Sequence, residues 1–578
     1  MMLFVNNVDI QNGSWQAFER VVARTLLADG YSNVRMVGQS NDHGADVLAS
    51  KYNKRWLFQV KHWKNRVGTA VVDETIRSAS VYHAQIPVVV ASNGFDAGAR
   101  EQQIALQASN IPLQLWGIQE LEAHANKLAE DSVPNKRTPR PYQEDAIKNI
   151  VAAFIDGNKK SLAVMATGLG KTFVAAESMR RIQALSKKRV LVLAHTNPLV
   201  YQLEQSFWAF MKKDQRSVVW NSYEAPTEDQ LRTCDYVFAC VNSVSDYVMK
   251  HSDLPAFDIV IVDECHHCGA SMYTRVLDAF LAGKEGGAYL LGLTATPWRA
   301  DEKNIEEIFG ETVVCIDMVT GMKKGFLANV DYRMYTDNIN WKSLENINGR
   351  SFTPKQINRS LFINQWDDSV VFELRKVWSE QIQPRAIVFC GTIDHAVIMK
   401  EKLNALGFCN AAAIFSQSND AYSMNQFERN RILSDFGDGL INVVCTVDMF
   451  NEGIDVPDVN ILVFQRVTHS RRIFIQQLGR GLRISDGKDK VIVLDFVSDI
   501  RRFAAGIDLK DSLNDGKTDR KAVRINLPNK VTFRRTDGED PDTEEFLREW
   551  LDDIAAIEEA GENSSVLKFP PVLPESKR

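Results

Sequence analysis

Leu162-Ala163-Val164-Met165, running into Ala166-Thr167-Gly168-Leu169-Gly170-Lys171-Thr172, decides the architecture of this chain. The apolar tetrad reads as a buried strand, Thr167 to Gly170 as a turn, and the residues from Thr172 as a helix. Such a strand, turn and helix form a cradle for phosphate. Glycines at 168 and 170 let backbone N–H groups crowd the phosphate oxygens, Lys171 reaches the outer phosphates, and the Thr172 hydroxyl can hold Mg2+. Met165 stands where the full signature carries glycine. That departure matters little, because the nest of backbone amides lies nearer Gly168 to Thr172.

Working outward, Phe257-Asp258-Ile259-Val260-Ile261-Val262 is a second apolar strand, and it ends on Asp263-Glu264. In open α/β sheets ligands sit at the carboxyl ends of strands, so these neighbouring acids divide the work there. Asp263 suits Mg2+, and Glu264 suits the proton of the water that attacks the γ-phosphate. Cys265-His266-His267-Cys268 follows, and its spacing is not read as a metal site because zinc needs four closed ligands and no second pair lies nearby. Further on come Thr294-Ala295-Thr296-Pro297 and the helical stretch QQLGRGLR from Gln476 to Arg483. Arg480 and Arg483 share a helical face and can reach a leaving phosphate as arginine fingers. Upstream, the Gln143 amide in Arg140-Pro141-Tyr142-Gln143 can pair with an adenine edge.

These segments, from about Arg140 to Phe496, resemble the superfamily 2 helicase motor, in the DExH group that includes the motor subunits of type I and type III restriction enzymes. The resemblance implies ATP and Mg2+ as cofactors, with Gln143 reading adenine and Thr167, Gly168, Gly170, Lys171 and Thr172 gripping phosphate. It also makes Asp263-Glu264 the catalytic pair, Thr294 to Thr296 the coupling segment, and Asp455, in Asn451-Glu452-Gly453-Ile454-Asp455, the Gly-x-Asp element of the second lobe. Thr196-Asn197 and Val241-Asn242-Ser243 fall where this family touches the sugar-phosphate backbone.

A different chemistry is written at the amino end. Trp15 to Leu27 has apolar residues at helical spacing and carries Glu19, and Asp46 follows Gly44-Ala45. In Trp56-Leu57-Phe58-Gln59-Val60-Lys61 alternate side chains share a face, so Gln59 and Lys61 point together. Asp46 and the Gln59 carbonyl are the expected Mg2+ ligands, and Lys61 orients the attacking water and offsets charge on the phosphorane. Glu19 adds a carboxylate, directly or from behind. Asp followed by Gln-x-Lys also occurs in ordinary hairpins, so spacing alone leaves a structural role open. Residues Ser14 to Leu121, with Val88 to Phe95 and Ala99-Arg100, resemble the Mrr-like branch of the PD-(D/E)xK restriction nucleases, in which Gln commonly replaces the second acid. The resemblance implies a DNA endonuclease.

The chain has 578 residues, too many for one core, and roughly three to four domains are expected. The anticipated fold class is α/β: a restriction-endonuclease-like domain over 1–125, a Pro-bearing linker over 126–139, RecA-like parallel-sheet domains over 140–325 and 326–500, and a small, mostly helical extension over 501–578. The segment 326–380 reads as transitional within the second RecA-like domain. A formal charge of -6 excludes a generally basic coat. DNA contact is therefore local, as around Lys61, His62, Lys64 and Arg66, where His62-Trp63 either stacks or packs. Eight cysteines without framework spacing, no secretory segment and no apolar run long enough for a membrane point to a cytoplasmic protein.

The leading expectation is an ATP-dependent translocase or helicase acting on DNA, duplex first, coupled to an endonuclease in restriction or antiviral defence. Restriction nucleases of the class it resembles often need two active sites to cut both strands, so the resemblance is compatible with a homo-oligomer or defence-system partner subunits. Two alternatives stand beside it: a repair or remodelling helicase whose amino-terminal domain only binds DNA, and an RNA helicase.

Overall fold

The structure, a computed structural model, describes residues 4–37, 45–268, 271–295, 305–316, 320–321, 324–336, 364–415, 422–447, 459–465, 488, 490–496 and 531–535. The chain divides into two compact units, Met1–Met165 with Gly170–Cys315, and Ala166–Leu169 with Ile316–Arg578. Among the described residues no helix is long and apolar enough to cross a membrane.

The first unit contains two sheets. Strands β1 (Ser32–Met36), β2 (Val47–Lys51), β3 (Lys54–Lys61), β4 (Ile86–Ala91) and β5 (Gln114–Trp116) lie side by side in that order. The pairs from β1 to β3 are antiparallel, and those from β3 to β5 are parallel. Tyr52 and Asn53 turn β2 into β3 with φ of 54° and 56°. A two-residue turn of this hand follows the twist of the strands it joins. Around the sheet lie α1 (Asn7–Asn12), α2 (Trp15–Ala28), α3 (Thr69–Val81), α4 (Ala97–Ala108) and α5 (Ile118–Ala125). Helix α2 packs on β1 to β3, and α3 packs on β3 and β4.

The second sheet of this unit has the order β12-β6-β11-β10-β7-β9-β8. Its strands are β6 (Lys160–Met165), β7 (Val190–Ala194), β8 (Ser217–Trp220), β9 (Tyr236–Cys240), β10 (Ile259–Val262), β11 (Tyr289–Thr294) and β12 (Thr312–Ile316). From β6 to β8 neighbouring strands run parallel. Every residue of β7, β9, β10 and β11 is buried, as a sheet covered on both faces requires. Helices α6 (Pro141–Ile155), α7 (Lys171–Leu185) and α8 (Asn197–Trp208) belong to this lobe. Because β6, β11 and β10 are adjacent and parallel, the segments that follow them leave from one edge.

Helix α2 joins the two sheets of the first unit. Arg20 lies in a buried cluster, with Nε 2.7 Å from Glu204 on α8 and Nη1 2.5 Å from Glu224 after β8. Ser14 Oγ and Tyr201 Oη also donate to Glu224, at 2.8 and 2.9 Å. Desolvation presses the Arg20 pKa down, yet Glu204 and Glu224 carry it above its ordinary value. One turn on, Arg24 donates to the carbonyls of Lys212 and Gln215 at 2.9 and 2.8 Å. Burial lowers its pKa to about 10. The segment 126–139 is also laid on the lobe, with Asn135 N donating to Ala209 O at 2.7 Å and Asp131 paired with Lys212 at 2.9 Å. The amino-terminal domain is thus seated through buried charge.

The second unit holds a sheet of order β15-β16-β14-β17-β18-β13-β19, all pairs parallel. Its strands are β13 (Asn329–Thr336), β14 (Ala386–Phe389), β15 (Ala411–Phe415), β16 (Val443–Val447), β17 (Ile461–Phe464), β18 (Lys490–Phe496) and β19 (Val531–Arg535). Helices Asn364–Trp378, Ile393–Ala405 and Gln426–Gly437 complete its described elements. The architecture is α/β, with an amino-terminal mixed sheet and two parallel sheets. Strand β13, from the segment read as transitional, pairs inside the second parallel sheet. The described residues of the tail expected to be mostly helical, Val531–Arg535, are a strand, and the amphipathic pattern at Phe546 to Glu559 lies outside the described residues.

Candidate active sites

At the carboxyl edge of the first parallel sheet, Gly168 and Gly170 have φ of 94° and 83°, values that suit glycine. A Cβ on Gly170 would also sit 2.6 Å from Gln143 Nε2. Gln143 therefore lies against the turn, while its Oε1 accepts from Arg140 N at 3.0 Å and closes the first turn of α6. Lys171 opens α7 and donates from Nζ to Glu264 Oε1 at 2.6 Å, with Asp263 Oδ1 at 3.4 Å. Burial would lower the lysine pKa, but the two acids hold it above the usual range. For Asp263 desolvation wins over Lys171, and its pKa is raised. Glu264 takes a left-handed backbone, φ 47° and ψ 48°, an uncommon conformation for a residue with a side chain.

Sequence reading passed over one link here. His266 Nδ1 lies 3.0 Å from Thr294 Oγ1, at the end of β11, and 3.3 Å from Glu264 Oε2. Glu264, of the expected catalytic pair, and Thr294, at the start of the expected coupling segment, thus share one imidazole. Cys265 and Cys268, the ends of the CxxC, are buried in the lobe's apolar core. The oxygen donors gathered around Lys171, two carboxylates with the Thr172 hydroxyl at the head of α7, suit a hard cation with phosphate. Thr296, Asp455, Gln476, Arg480 and Arg483 lie outside the described residues.

In the amino-terminal domain the β2–β3 register pairs Val47 with Phe58, so Asp46 stands one step on, opposite Gln59. Its Oδ2 accepts from Val60 N at 2.5 Å. Gln59 and Lys61 share a face of β3, and Asp46, Gln59 and Lys61 are brought together. Glu19 is buried on α2, next in sequence to Arg20. Gln59, expected as a metal ligand, has its amide engaged within the fold. Gln59 is 0% exposed, its Oε1 accepts from Thr75 Oγ1, and its Nε2 donates to Glu74 Oε2 at 2.6 Å. Its carbonyl is turned into the fold.

Glu74 also lies 3.7 Å from Lys61 Nζ. Nothing in the spacing of α3 marks this acid, since only the seating of the helix on β3 brings it in. Among the described residues no three acidic, histidine or cysteine side chains converge as a metal cage. Mg2+ is commonly held by one or two carboxylates, with water and phosphate completing the shell, and the acids at this site fit that pattern. Of the basic cluster beyond, His62 packs on Phe18 with ring centroids 5.7 Å apart. Trp63 is 47% exposed, with Lys61 Nζ 5.6 Å from its ring, so one ring packs and the other stays accessible.

Residues 10–124 match the family described as restriction endonuclease, residues 136–299 the type III restriction enzyme res subunit, and residues 369–485 the helicase conserved C-terminal domain. The Escherichia coli type I restriction enzyme EcoAI endonuclease subunit is 27% identical over 560 residues, covering 86% of this chain and 65% of that protein. A candidate mitochondrial ATP-dependent helicase of Schizosaccharomyces pombe, irc3, is 29% identical over 378 residues, 64% of this chain and 59% of that protein. The chain thus spans about three-fifths of the length of these curated relatives. In fold it is similar to the ATP-dependent Type ISP restriction-modification enzyme LlaBIII bound to DNA, with TM-score 0.53 and 17% identity over 95% of this chain and 42% of that one. The two sheets of the first unit and the matches along the chain agree: this protein carries an Mrr-type restriction endonuclease domain at its amino end, followed by superfamily 2 helicase domains similar to those of restriction-enzyme subunits.

Proposed function

We propose that this chain is an ATP-driven DNA motor whose turnover licenses a Mg2+-dependent endonuclease, acting in restriction or another defence against foreign DNA. One observation carries the reading: the first compact unit holds the amino-terminal domain together with Lys171, Asp263 and Glu264, and the helix that bears Glu19 is locked by Arg20 to α8 of the motor lobe. Helix α8 begins at Asn197, directly after Thr196, at the edge where the helicase family meets the nucleic-acid backbone. Motion there is passed to a domain held by buried ion pairs, so delivery of strain does not depend on a slack tether.

In the motor, Lys171 exchanges its two carboxylates for the outer phosphates, and Glu264 accepts the proton of the attacking water. His266 passes the change at Glu264 to Thr294. At the other centre Lys61 orients the water and offsets charge as the phosphodiester is attacked, and Asp46 presents a carboxylate beside it. Mg2+, when bound, supplies the Lewis acidity for both reactions.

The reading is tested with purified protein, by comparing ATP turnover stimulated by duplex DNA, single-stranded DNA and RNA, and by following plasmid cleavage with and without ATP. Stimulation by duplex DNA together with ATP-dependent cleavage is expected, and stimulation by RNA alone would contradict it. A second reading, in which the amino-terminal domain only binds DNA, draws support from the buried Gln59 amide. Metal-independent DNA binding without products, in both Mg2+ and Mn2+, would favour it.

A further inference from the structure

We infer that Glu74 supplies the acid that Gln59 lacks, with Gln59 acting as the positioning residue that holds it beside Lys61. The inference deepens the nuclease reading and rests on it. An acid at position 59 would lie opposite Asp46 and share the face of Lys61, so two carboxylates would flank the lysine. With an amide there, charge has to come from another element. Glu74, from α3, brings its Oε2 within 2.6 Å of Gln59 Nε2 and 3.7 Å of Lys61 Nζ. The direction of the hydrogen bond follows from charge: an ionised Glu74 can only accept, so Gln59 must present its N–H and turn its carbonyl towards Thr75. That is the orientation observed.

Burial separates the two residues further. Gln59 is fully enclosed, whereas the Glu74 side chain retains 36% exposure, enough to reach water, a cation or a phosphate. The residue still open to a ligand is therefore the charged one. Lys61, 19% exposed at its side chain, sits between Glu74 and the accessible Trp63 ring. The pair Asp46 and Glu74 matches the one or two carboxylates by which Mg2+ is usually held when phosphate completes its shell.

Glu74→Gln is the decisive substitution, because it removes the charge while an amide at 74 can still bond to Gln59 and preserve the local shape. Mn2+ binding to the full chain without nucleotide, read by electron paramagnetic resonance, should weaken about tenfold or more in this variant and in Asp46→Asn. DNA nicking should fall with it, while DNA-stimulated ATP turnover and the thermal midpoint stay as in the wild type. The double variant Gln59→Glu with Glu74→Gln returns the acid to the strand and should recover most of the Mn2+ binding. Wild-type Mn2+ binding and nicking by Glu74→Gln, with both lost in Asp46→Asn, would overturn the inference and leave the nuclease reading standing. Failure of the double variant to recover would overturn the exchange of acid between strand and helix. If the wild-type protein neither nicks DNA nor loses Mn2+ affinity in Asp46→Asn, the nuclease reading itself falls, and this inference with it.

Discussion

The two proposed phosphate-handling centres are built on opposite plans. In the proposed motor site Lys171, which opens α7, is clasped by Asp263 and Glu264, which directly follow β10. In the proposed nuclease site the charged groups come from a hairpin and a helix, and Lys61 Nζ stands 3.7 Å from Glu74. The first cluster neutralises its lysine with two acids, and the second leaves its lysine partly exposed beside one acid. Buried like charges and a lysine in contact form a spring-loaded arrangement, because desolvation penalises each ion that loses its partner. A nuclease site that must admit a long, charged polymer gains from the looser plan.

The largest expected effect breaks the tight site. Lys171→Ala removes the counter-charge from both acids and should reduce ATP turnover by roughly 10³-fold or more, measured as phosphate release with saturating DNA. Next, Lys61→Ala should reduce nicking by about 10²-fold or more, followed on supercoiled plasmid, and leave ATP turnover unchanged. Parallel loss of turnover would mean that the two centres are not separable.

The joint between the centres comes third. Arg20→Ala strands Glu204 and Glu224 in a buried site, and removal of one partner from such a cluster costs about 3–5 kcal/mol. Denaturant unfolding should register this as a lower midpoint in which the amino-terminal domain and first lobe melt earlier together. An unchanged midpoint would show that the seat is not held by this charge. The smallest effect sharpens the electrostatics of the motor site. Burial, opposed by Lys171, raises Asp263 above its ordinary 3.8, so the folded state takes up this proton before the unfolded chain does. Its contribution to stability is complete below 3.8 and is lost as pH rises through the folded value. Asp263→Asn should therefore flatten the acid side of the stability profile, read as urea midpoints on raising the pH from the ordinary carboxylate range.

The same contrast governs what the sequence disclosed. Strands β4, β6, β9 and β10 are short apolar runs, buried at nearly every position, and periodicity finds such strands readily. Edge strand β12 has half-buried residues and offers no such signal. Motor residues are legible because they are chain neighbours of strand ends, and parallel order places those ends together. The link from His266 to Thr294 is hidden, since it needs β10 and β11 to be adjacent. Glu74 is one of two consecutive acids in an ordinary amphipathic helix, and only the seating of α3 on β3 selects it over Asp73. Arg20 likewise reads as a surface base until its partners on α8 and after β8, far along the chain, are folded against it.

The most direct test of two separable but coupled centres records ATP hydrolysis and plasmid cleavage in the same reaction, for the wild type, Lys61→Ala and Lys171→Ala. The account predicts both activities in the wild type, hydrolysis without cleavage in Lys61→Ala, and neither in Lys171→Ala. Undiminished cleavage by Lys61→Ala, or ATP-dependent cleavage equally efficient in Lys171→Ala, would contradict it.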